Sequence, residues 1–216
     1  MSIEAVIFDL DGTLLNTICD IGDSLNYILQ NHGFPCRSYE EYVTFVCNGS
    51  KKLVERAAEK ASAEEVEIIL SEYKKYYSDN YSVKTVPYEG ISELLKTLCE
   101  EGIKLGVYSN KPNNIVKDLC EKHFGGVFAA VRGQTDSVPE KPAPDGAWLT
   151  ADEMGVEYEK CAFVGDSLED RLTAIKAGMI PVSVTWGYRS ADFLKENGAD
   201  LCSDTCEELL QIILNL

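Results

Sequence analysis

The sequence predicts an α/β protein with a Rossmann-like, doubly wound parallel sheet that an all-helical domain interrupts near its beginning. Two observations support this fold class. An apolar strand pattern at the start of the chain, followed after Pro87 by alternating strands and helices, is typical of a parallel sheet covered on both faces. Between these parts, residues 17–81 carry helical patterns alone, which indicates an inserted domain.

The first predicted strand is the apolar run IEAVIF at residues 3–8. Apolar residues then recur at helical spacing from Ile18 until Gly33 stops the helix. Ser38 and Ser62 are each followed three positions later by a glutamate, which is the capping box that starts a helix. The insert is therefore predicted to contain several helices and no strand.

The rest of the predicted sheet follows the insert. We predict strands over 103–108, 161–165 and 180–184, a short apolar stretch over 127–131, and helices over 91–101, from Pro112, near 145–154, over 168–177 and over 206–214. The predicted domains are 1–16 with 82–216 for the sheet and 17–81 for the helical cap.

The composition describes a globular chain with an acidic surface, because 45% of its residues are hydrophobic and its formal net charge is −16. Such a charge repels nucleic acids and anionic membranes, so neither is an expected partner. No apolar run approaches the ~20 residues of a membrane helix, and the N-terminus lacks a signal-peptide pattern. The eight cysteines show no zinc-type spacing. We expect a cytoplasmic protein with free thiols, either a monomer or a homodimer.

Candidate site residues follow the predicted strands, because ligands of open α/β sheets bind beyond the carboxyl ends of the strands. Asp9 and Asp11 follow the first strand, and two carboxylates so close together can face one site. One can attack phosphorus while the other handles the proton of the leaving group. Gly12 permits a tight turn there, although a plain turn or helix cap has the same residue types.

Three further polar clusters follow later in the chain. The hydroxyl of Ser109 and the backbone N–H groups near Asn110 can hold phosphate oxygens, although Ser-Asn is also an ordinary helix start. Lys141 can neutralise a phosphoryl group or lie solvated at the surface. Asp166 and Asp170 offer the oxygen ligands that Mg²⁺ prefers, although acidic residues also cap helices.

Together and in this order, the four clusters resemble the motifs of the haloacid dehalogenase superfamily. The residues that match the four motifs are Asp9 and Asp11, Ser109, Lys141, and the pair Asp166 and Asp170. The resemblance extends through PYEG at 87–90, SNKP at 109–112, EKPAPD at 140–145 and AIKAGM at 174–179. Within the superfamily, the chain is similar to phosphoglycolate-phosphatase-like proteins, which carry a helical cap between the first two motifs.

The resemblance implies a Mg²⁺-dependent phosphatase that hydrolyses a small phosphate monoester through an aspartyl phosphate. Asp9 would attack phosphorus, and Asp11 would protonate the leaving alkoxide and then activate water. Asp9, the backbone carbonyl of Asp11 and Asp166 would hold the metal, supported by Asp170. Lys141 would offset the repulsion between Asp9 and the phosphate.

Substrate contacts are expected from Gly12, Thr13 and Asn110, and from Asn48, Gly49 and Lys52 of the cap. The last three belong to the segment 47–52, which is predicted as a loop between two helices and resembles the substrate-facing cap loop of the family. A solvated loop in which Ser50 caps the next helix is the alternative. The cap is expected to close over the core through hinges near 14–17 and 81–87.

Asn16-Thr17, Gln134 and Arg171 depart from the usual residues of the family. Asp11 argues against a dehalogenase or a phosphonatase, because those relatives lack an aspartate at this position. The alternatives that stay open are a pyrophosphatase, a β-phosphoglucomutase-like phosphotransferase and a non-catalytic phospho-ligand-binding protein.

Overall fold

The computed structural model describes residues 2–216 and contains two compact units. One unit runs from the described N-terminus to Leu15 and continues over Pro87–Leu216, and the other comprises Asn16–Val86. The predicted helical segment 17–81 lies inside the second unit. All eight cysteines are free. Within residues 2–216, no helix is both long enough and apolar enough to cross a membrane.

The larger unit contains a six-stranded parallel sheet, as the sequence predicts. The strands in chain order are β1 Ala5–Phe8, β2 Leu15–Asn16, β3 Val86–Pro87, β4 Lys104–Pro112, β5 Ala130–Gln134, β6 Cys161–Gly165, β7 Ile180–Val184 and β8 Cys202–Ser203. The order across the large sheet is β5-β4-β1-β6-β7-β8, with parallel pairing between neighbours. The short strands β2 and β3 pair with each other.

The helices include every predicted helix. In chain order they are α1 Ile18–Asn31, α2 Tyr39–Phe45, α3 Gly49–Ala57, α4 Ala63–Asn80, α5 Ile91–Glu100, α6 Asn113–Phe124, α7 Asp145–Met154, α8 Leu168–Ala177, α9 Ala191–Glu196 and α10 Cys206–Leu214. The capping boxes at Ser38 and Ser62 are both present. Helix α9 and strand β8 were not predicted, because they are too short to show a period.

Strand β1 lies between β4 and β6 and is buried on both faces. Ala5 and Ile7 pack into one core cluster with small residues of α7 and α8, and Val6 and Phe8 point to the opposite face. The register places Phe8 beside Val107 on β4 and beside Val164 on β6. The residues that follow these three positions therefore meet at one edge of the sheet.

Strand β4 is longer than predicted. It was expected to end at residue 108, but it continues to Pro112 with an irregularity after Tyr108. Pairing resumes where Pro112 meets Gln134 of β5, a non-local contact that supports the extra residues. Ser109 and Asn110 thus lie in the last part of the strand and not after it.

The segment 47–52 is not a loop throughout, which corrects the prediction. Helix α3 starts at Gly49, so Gly49 and Lys52 lie in its first turns and only Cys47 and Asn48 precede it. The buried residues Leu53, Val54 and Ala57 form an apolar face that stabilises the helix. Cys47 and Gly49 both have positive φ, 81° and 79°, which turns the chain into the helix.

The second unit extends to Val86 because a buried carboxylate holds its last segment. Asp20 of α1 is 3% exposed. It accepts hydrogen bonds from the backbone N–H groups of Lys84 at 2.9 Å and Thr85 at 2.8 Å, and from the Thr85 hydroxyl at 2.7 Å. These hydrogen bonds therefore connect the first helix of the unit with its last residues.

Candidate active site

The chain turns sharply after β1. The backbone N–H groups of Leu14 and Leu15 both donate to the carbonyl of Leu10, at 3.0 and 2.9 Å. Gly12 adopts a φ of +83°, and a Cβ at this position would overlap the carboxylate of Asp166. Glycine is therefore required here for its backbone conformation and for the close approach to the neighbouring strand end.

Three buried carboxylates meet at this edge of the sheet. Asp9, Asp166 and Asp170 each offer an oxygen, and these oxygens all lie within 4.8 Å of one another, so the cluster can hold a metal ion. Asp9 follows β1, Asp166 follows β6, and Asp170 lies in the first turn of α8. Asp170 also belongs to a capping box, in which its Oδ2 accepts from the Ser167 backbone N–H at 3.0 Å. Asp170 therefore both caps helix α8 and belongs to the carboxylate cluster.

Lys141 supplies the positive charge beside this cluster. Its Nζ lies 2.8 Å from Asp9 Oδ1 and 2.6 Å from Asp170 Oδ1. The rings of Tyr108 and Phe163 lie on its other sides, each 5.8 Å from Nζ. Burial disfavours the ammonium charge, but the carboxylates of Asp170 and Asp9 outweigh this effect and raise the pKa of Lys141. The lysine is therefore charged at any physiological pH.

Burial raises the pKa of Asp9 to about 7, although Lys141 acts in the opposite direction. Burial also raises the pKa of Asp166 well above its ordinary value, and the charges of Asp170 and Asp9 add to this rise. When all three carboxylates are ionised, they and the Lys141 ammonium together carry a net charge of −2. A divalent cation would balance this charge, and three carboxylates are a suitable ligand set for one.

One oxygen of the cluster supports the same conclusion. Asp9 Oδ1 is fully buried, and Lys141 Nζ, which lies 2.8 Å from it, lies 2.6 Å from Asp170 Oδ1 as well. One ammonium shared between two buried carboxylates leaves negative charge in the cluster, which is costly unless another cation offsets it. The residues present therefore fit a divalent metal ion.

A second ion pair lies next to the cluster. Lys111 Nζ contacts both carboxylate oxygens of Asp11, at 2.9 and 3.1 Å, and the lysine side chain is only 4% exposed. Asp11 is not one of the clustered carboxylates. Sequence reasoning gave Lys111 no role. It lies two residues after Ser109, in the part of β4 that was not predicted as strand, so no alternation in the sequence pointed to it.

The segment after β7 was also missed. The backbone N–H of Tyr188 donates to Asp166 Oδ2 at 2.7 Å, and a Cβ at Gly187 would overlap the same carboxylate. Trp186 Nε1 donates to the carbonyl of Thr13 at 3.0 Å, and the Thr13 hydroxyl donates to Asp166 Oδ1 at 3.2 Å. Trp186–Tyr188 follow a strand end, so the rule that selected Asp166 applies to them as well.

The other predicted residues occupy varied positions. Ser109 is buried in the last part of β4, and the Asn110 side chain binds the backbone of Lys141.

In the second unit, Asn48 Oδ1 accepts from Arg56 at 2.7 Å and Lys52 pairs with Glu55 at 2.7 Å. Among the family departures, Gln134 closes a local turn by donating to the carbonyls of Thr135 and Val138, both at 3.0 Å. Asn16 Oδ1 accepts from the backbone N–H of Ile18 at 3.4 Å, and Arg171 lies in α8.

Comparison with known proteins agrees with this geometry. Residues 6–184 match the model of the haloacid dehalogenase-like hydrolase family. Phosphoglycolate phosphatase 1 of Pseudomonas aeruginosa is 31% identical over 212 residues, which cover 95% of this chain and 78% of the relative. The phosphoglycolate phosphatase of Xanthomonas campestris pv. campestris is 32% identical, with 88% and 86% of the two chains covered. A crystal structure from Lactobacillus delbrueckii subsp. bulgaricus, provisionally named a phosphoglycolate phosphatase, has a TM-score of 0.95 at 35% identity and covers 100% of both chains.

The chain therefore belongs to the haloacid dehalogenase-like hydrolase family. Within that family it is an enzyme of the phosphatase class and is similar to phosphoglycolate phosphatases. Both the fold class and the resemblance expected from the sequence are confirmed.

The variant Asp9→Asn is expected to stabilise the metal-free protein at alkaline pH. Burial raises the pKa of Asp9 from 3.8 to about 7. The native state consequently binds more protons than the unfolded state between these values, so stability falls as the pH rises through them. An amide removes the buried charge. In EDTA at pH 8 the variant should melt above the wild type, by about 2–4 °C for each kcal/mol regained.

This stability difference should shrink at pH 5, where Asp9 of the wild type is protonated. Thermal melts at both pH values, followed by circular dichroism, measure it. The exposed Asp152→Asn variant is the control and should show no such dependence on pH. A lower melting temperature for Asp9→Asn than for the wild type at pH 8 would contradict the electrostatic account.

Proposed function

We propose that this protein is a Mg²⁺-dependent phosphatase that hydrolyses a small phosphate monoester resembling 2-phosphoglycolate through an aspartyl phosphate on Asp9. The observation that carries the proposal is the Asp9 carboxylate, which is buried, lies 2.8 Å from Lys141 Nζ and shares its site with two further carboxylates. The names of the relatives from Pseudomonas aeruginosa and Xanthomonas campestris support the substrate class.

In the first half of the reaction, an oxygen of Asp9 attacks phosphorus and the bond to the leaving oxygen breaks. Asp11 donates a proton to that oxygen as it departs. Lys141 offsets the charge that gathers on the phosphoryl oxygens, and it is already placed by its contacts with Asp9 and Asp170. Lys111 holds both oxygens of Asp11 and therefore orients that carboxylate.

In the second half, Asp11 accepts a proton from water, and the water oxygen attacks phosphorus. The bond between phosphorus and Asp9 breaks, which releases inorganic phosphate and restores the carboxylate. Asp9, Asp166, Asp170 and the backbone carbonyl of Asp11 would hold Mg²⁺, which when bound neutralises phosphoryl charge as a Lewis acid. Gly12, Thr13 and Ser109 are proposed to bind the phosphoryl oxygens through backbone N–H or hydroxyl groups.

The helical unit is proposed to determine which leaving group is accepted, because the core residues contact only the phosphoryl group that all phosphate esters share. Its contacting segment is proposed to be the turn before α3. Arg56 donates to the carbonyl of Phe45 at 2.6 Å and to Asn48 Oδ1 at 2.7 Å, so it holds both sides of Cys47. A turn with a non-glycine residue at positive φ, held by a partly buried arginine bond on each side, is typical of a functional segment.

The wild type is expected to release phosphate from 2-phosphoglycolate with Mg²⁺ present and to lose this activity in EDTA. Asp9→Asn should lower kcat by at least about 1,000-fold, because an amide cannot form the acyl phosphate. Asp11→Asn should lose most turnover but still form phosphoenzyme from p-nitrophenyl phosphate, because that leaving group needs little protonation. Phosphate release and trapping of labelled phosphoenzyme measure the two effects.

Asp152→Asn is the matched control for these variants, because it makes the same change at an exposed aspartate of α7. Substantial turnover by Asp9→Asn would remove Asp9 from the proposed role. Transfer of the phosphoryl group to a second sugar phosphate instead of water would favour a phosphotransferase, and preference for pyrophosphate would favour a pyrophosphatase. Binding of phosphate esters without any turnover would favour a non-catalytic protein.

A second expected outcome concerns the helical unit. Asn48→Ala and Lys52→Ala should each lower kcat/KM for 2-phosphoglycolate by about 10-fold, which corresponds to one lost polar contact. The same variants should leave kcat/KM for p-nitrophenyl phosphate nearly unchanged, because its leaving group carries no carboxylate. Lys60→Ala removes an exposed lysine after the end of α3 and is the control. Equal effects on both substrates would show that this segment does not select the leaving group.

A further inference from the structure

We propose that Asn110 is a positioning residue that acts on the reaction only through Lys141, by holding the backbone of that lysine, and that its side chain does not contact substrate. The proposal rests on the proposed function, because it assigns Asn110 a part in the phosphoryl transfer that Lys141 supports. The expectation from the sequence, that backbone N–H groups near Asn110 contact the phosphate, is a separate one, and the present proposal concerns the side chain.

The segment that carries Lys141 has no strand or helix to hold its backbone. Residues 139–144 lie between β5 and α7 and form turns and bends only. Buried backbone polar groups outside regular structure must find other partners. Asn110 provides two of them, because its Oδ1 accepts from the backbone N–H of Lys141 at 2.8 Å and its Nδ2 donates to the carbonyl of Lys141 at 3.2 Å.

These two bonds occupy both ends of the Asn110 amide. The side chain thus pairs with Lys141 as a peptide group of a neighbouring strand would do. The two bonds fix the plane and the direction of the amide, and its second N–H and second oxygen lone pair are the capacity that remains.

Strand β4 holds this segment at a second point. The second point is Tyr108, which precedes Asn110 by two residues in β4. Its hydroxyl donates to the carbonyl of Pro139 at 3.1 Å. The ring of Tyr108 also lies 5.8 Å from Lys141 Nζ. The end of β4 thus fixes both the backbone of the segment and one side of the lysine side chain.

A fixed backbone matters because the lysine side chain is long and flexible. Holding its ammonium between Asp9 and Asp170, at 2.8 and 2.6 Å, restricts several rotatable bonds. If the backbone of Lys141 shifts, the ammonium cannot keep both contacts. A displacement of about 1 Å in a group that stabilises a transition state can cost on the order of 100-fold in rate.

The structure contains a matched control in the helical unit. Asn26 makes the same pair of bonds to the backbone of Arg37, with Oδ1 accepting at 2.8 Å and Nδ2 donating at 2.9 Å. Asn26→Ala and Asn110→Ala both remove this pair of bonds, and only the second change affects Lys141; Asn26→Ala also removes the bond from the Tyr42 hydroxyl at 2.8 Å, which makes it the more severe loss of the two. Any loss that follows from missing hydrogen bonds alone should appear in both variants.

The first measurement is steady-state kinetics with 2-phosphoglycolate and p-nitrophenyl phosphate. Asn110→Ala should lower kcat by about 10–100-fold and by the same factor for both esters, with KM changed less than about 3-fold. Asn26→Ala should keep the kcat of the wild type. A rise in KM with unchanged kcat, or losses that differ between the two esters, would overturn the proposal in favour of a direct substrate contact.

The second measurement does not depend on activity. Lys141 is 6% exposed in the native protein. Amine labelling read by mass spectrometry should find it protected in the wild type and in Asn26→Ala, and labelled at least about 10-fold faster in Asn110→Ala, as expected for local opening of its segment. Unchanged protection in Asn110→Ala would overturn the proposal. If Asn110→Ala does not fold, Asn110→Ser, which can keep only one of the two bonds, should show the same increase in smaller degree.

These measurements separate the failure of this inference from failure of the proposed function. A wild type that hydrolyses no phosphate ester would contradict the proposed function, and the labelling experiment would still decide whether Asn110 holds Lys141. An active wild type with an Asn110→Ala variant equal to it in kcat and in labelling would contradict this inference alone.

Discussion

The burial of three carboxylates beside a single ammonium is the constraint on which this structure depends. Asp9, Asp166 and Asp170 keep oxygens within 4.8 Å of one another, although like charges in a buried site repel strongly. The surrounding chain makes room for them at some cost. A Cβ at Gly165 would overlap Asp170, and one at Gly187 would overlap Asp166. Such crowding is characteristic of a site built for a cation rather than for stability alone.

The parallel sheet places the carboxylates together, and side chains from one of its strands hold the lysine beside them. β1 lies between β4 and β6, so the carboxyl ends of three strands converge on Asp9. The ammonium comes from a segment without regular structure, and Asn110 and Tyr108 of β4 bind the backbone of that segment. The site therefore combines a rigid edge of carboxylates with a cation whose position depends on Asn110 and Tyr108.

Local patterns in the sequence predicted the parts of this site that follow strand ends, because a strand and the turn after it depend mainly on neighbouring residues. Asp9 and Asp166 belong to this class. The extension of β4 depends on pairing between Pro112 and Gln134, which no local pattern records. The contact of Lys111 with Asp11 also joins residues far apart in the chain. The side chain of Asn110 likewise bonds a residue 31 positions away, whereas the sequence indicated only the backbone N–H groups near it as phosphate contacts.

Calorimetric titration of the metal-free protein with Mg²⁺ at pH 7 tests the central claim most directly. Burial raises the pKa of Asp9 to about 7, so in a fraction of the molecules at pH 7 the Asp9 carboxyl is protonated. Binding of Mg²⁺ to this carboxylate must release the proton. In buffers of different ionisation enthalpy, the account predicts binding with release of about half a proton or more per ion. Asp166→Asn should abolish this binding. Failure of the wild type to bind Mg²⁺, or binding that releases no proton and survives Asp166→Asn, would contradict the account.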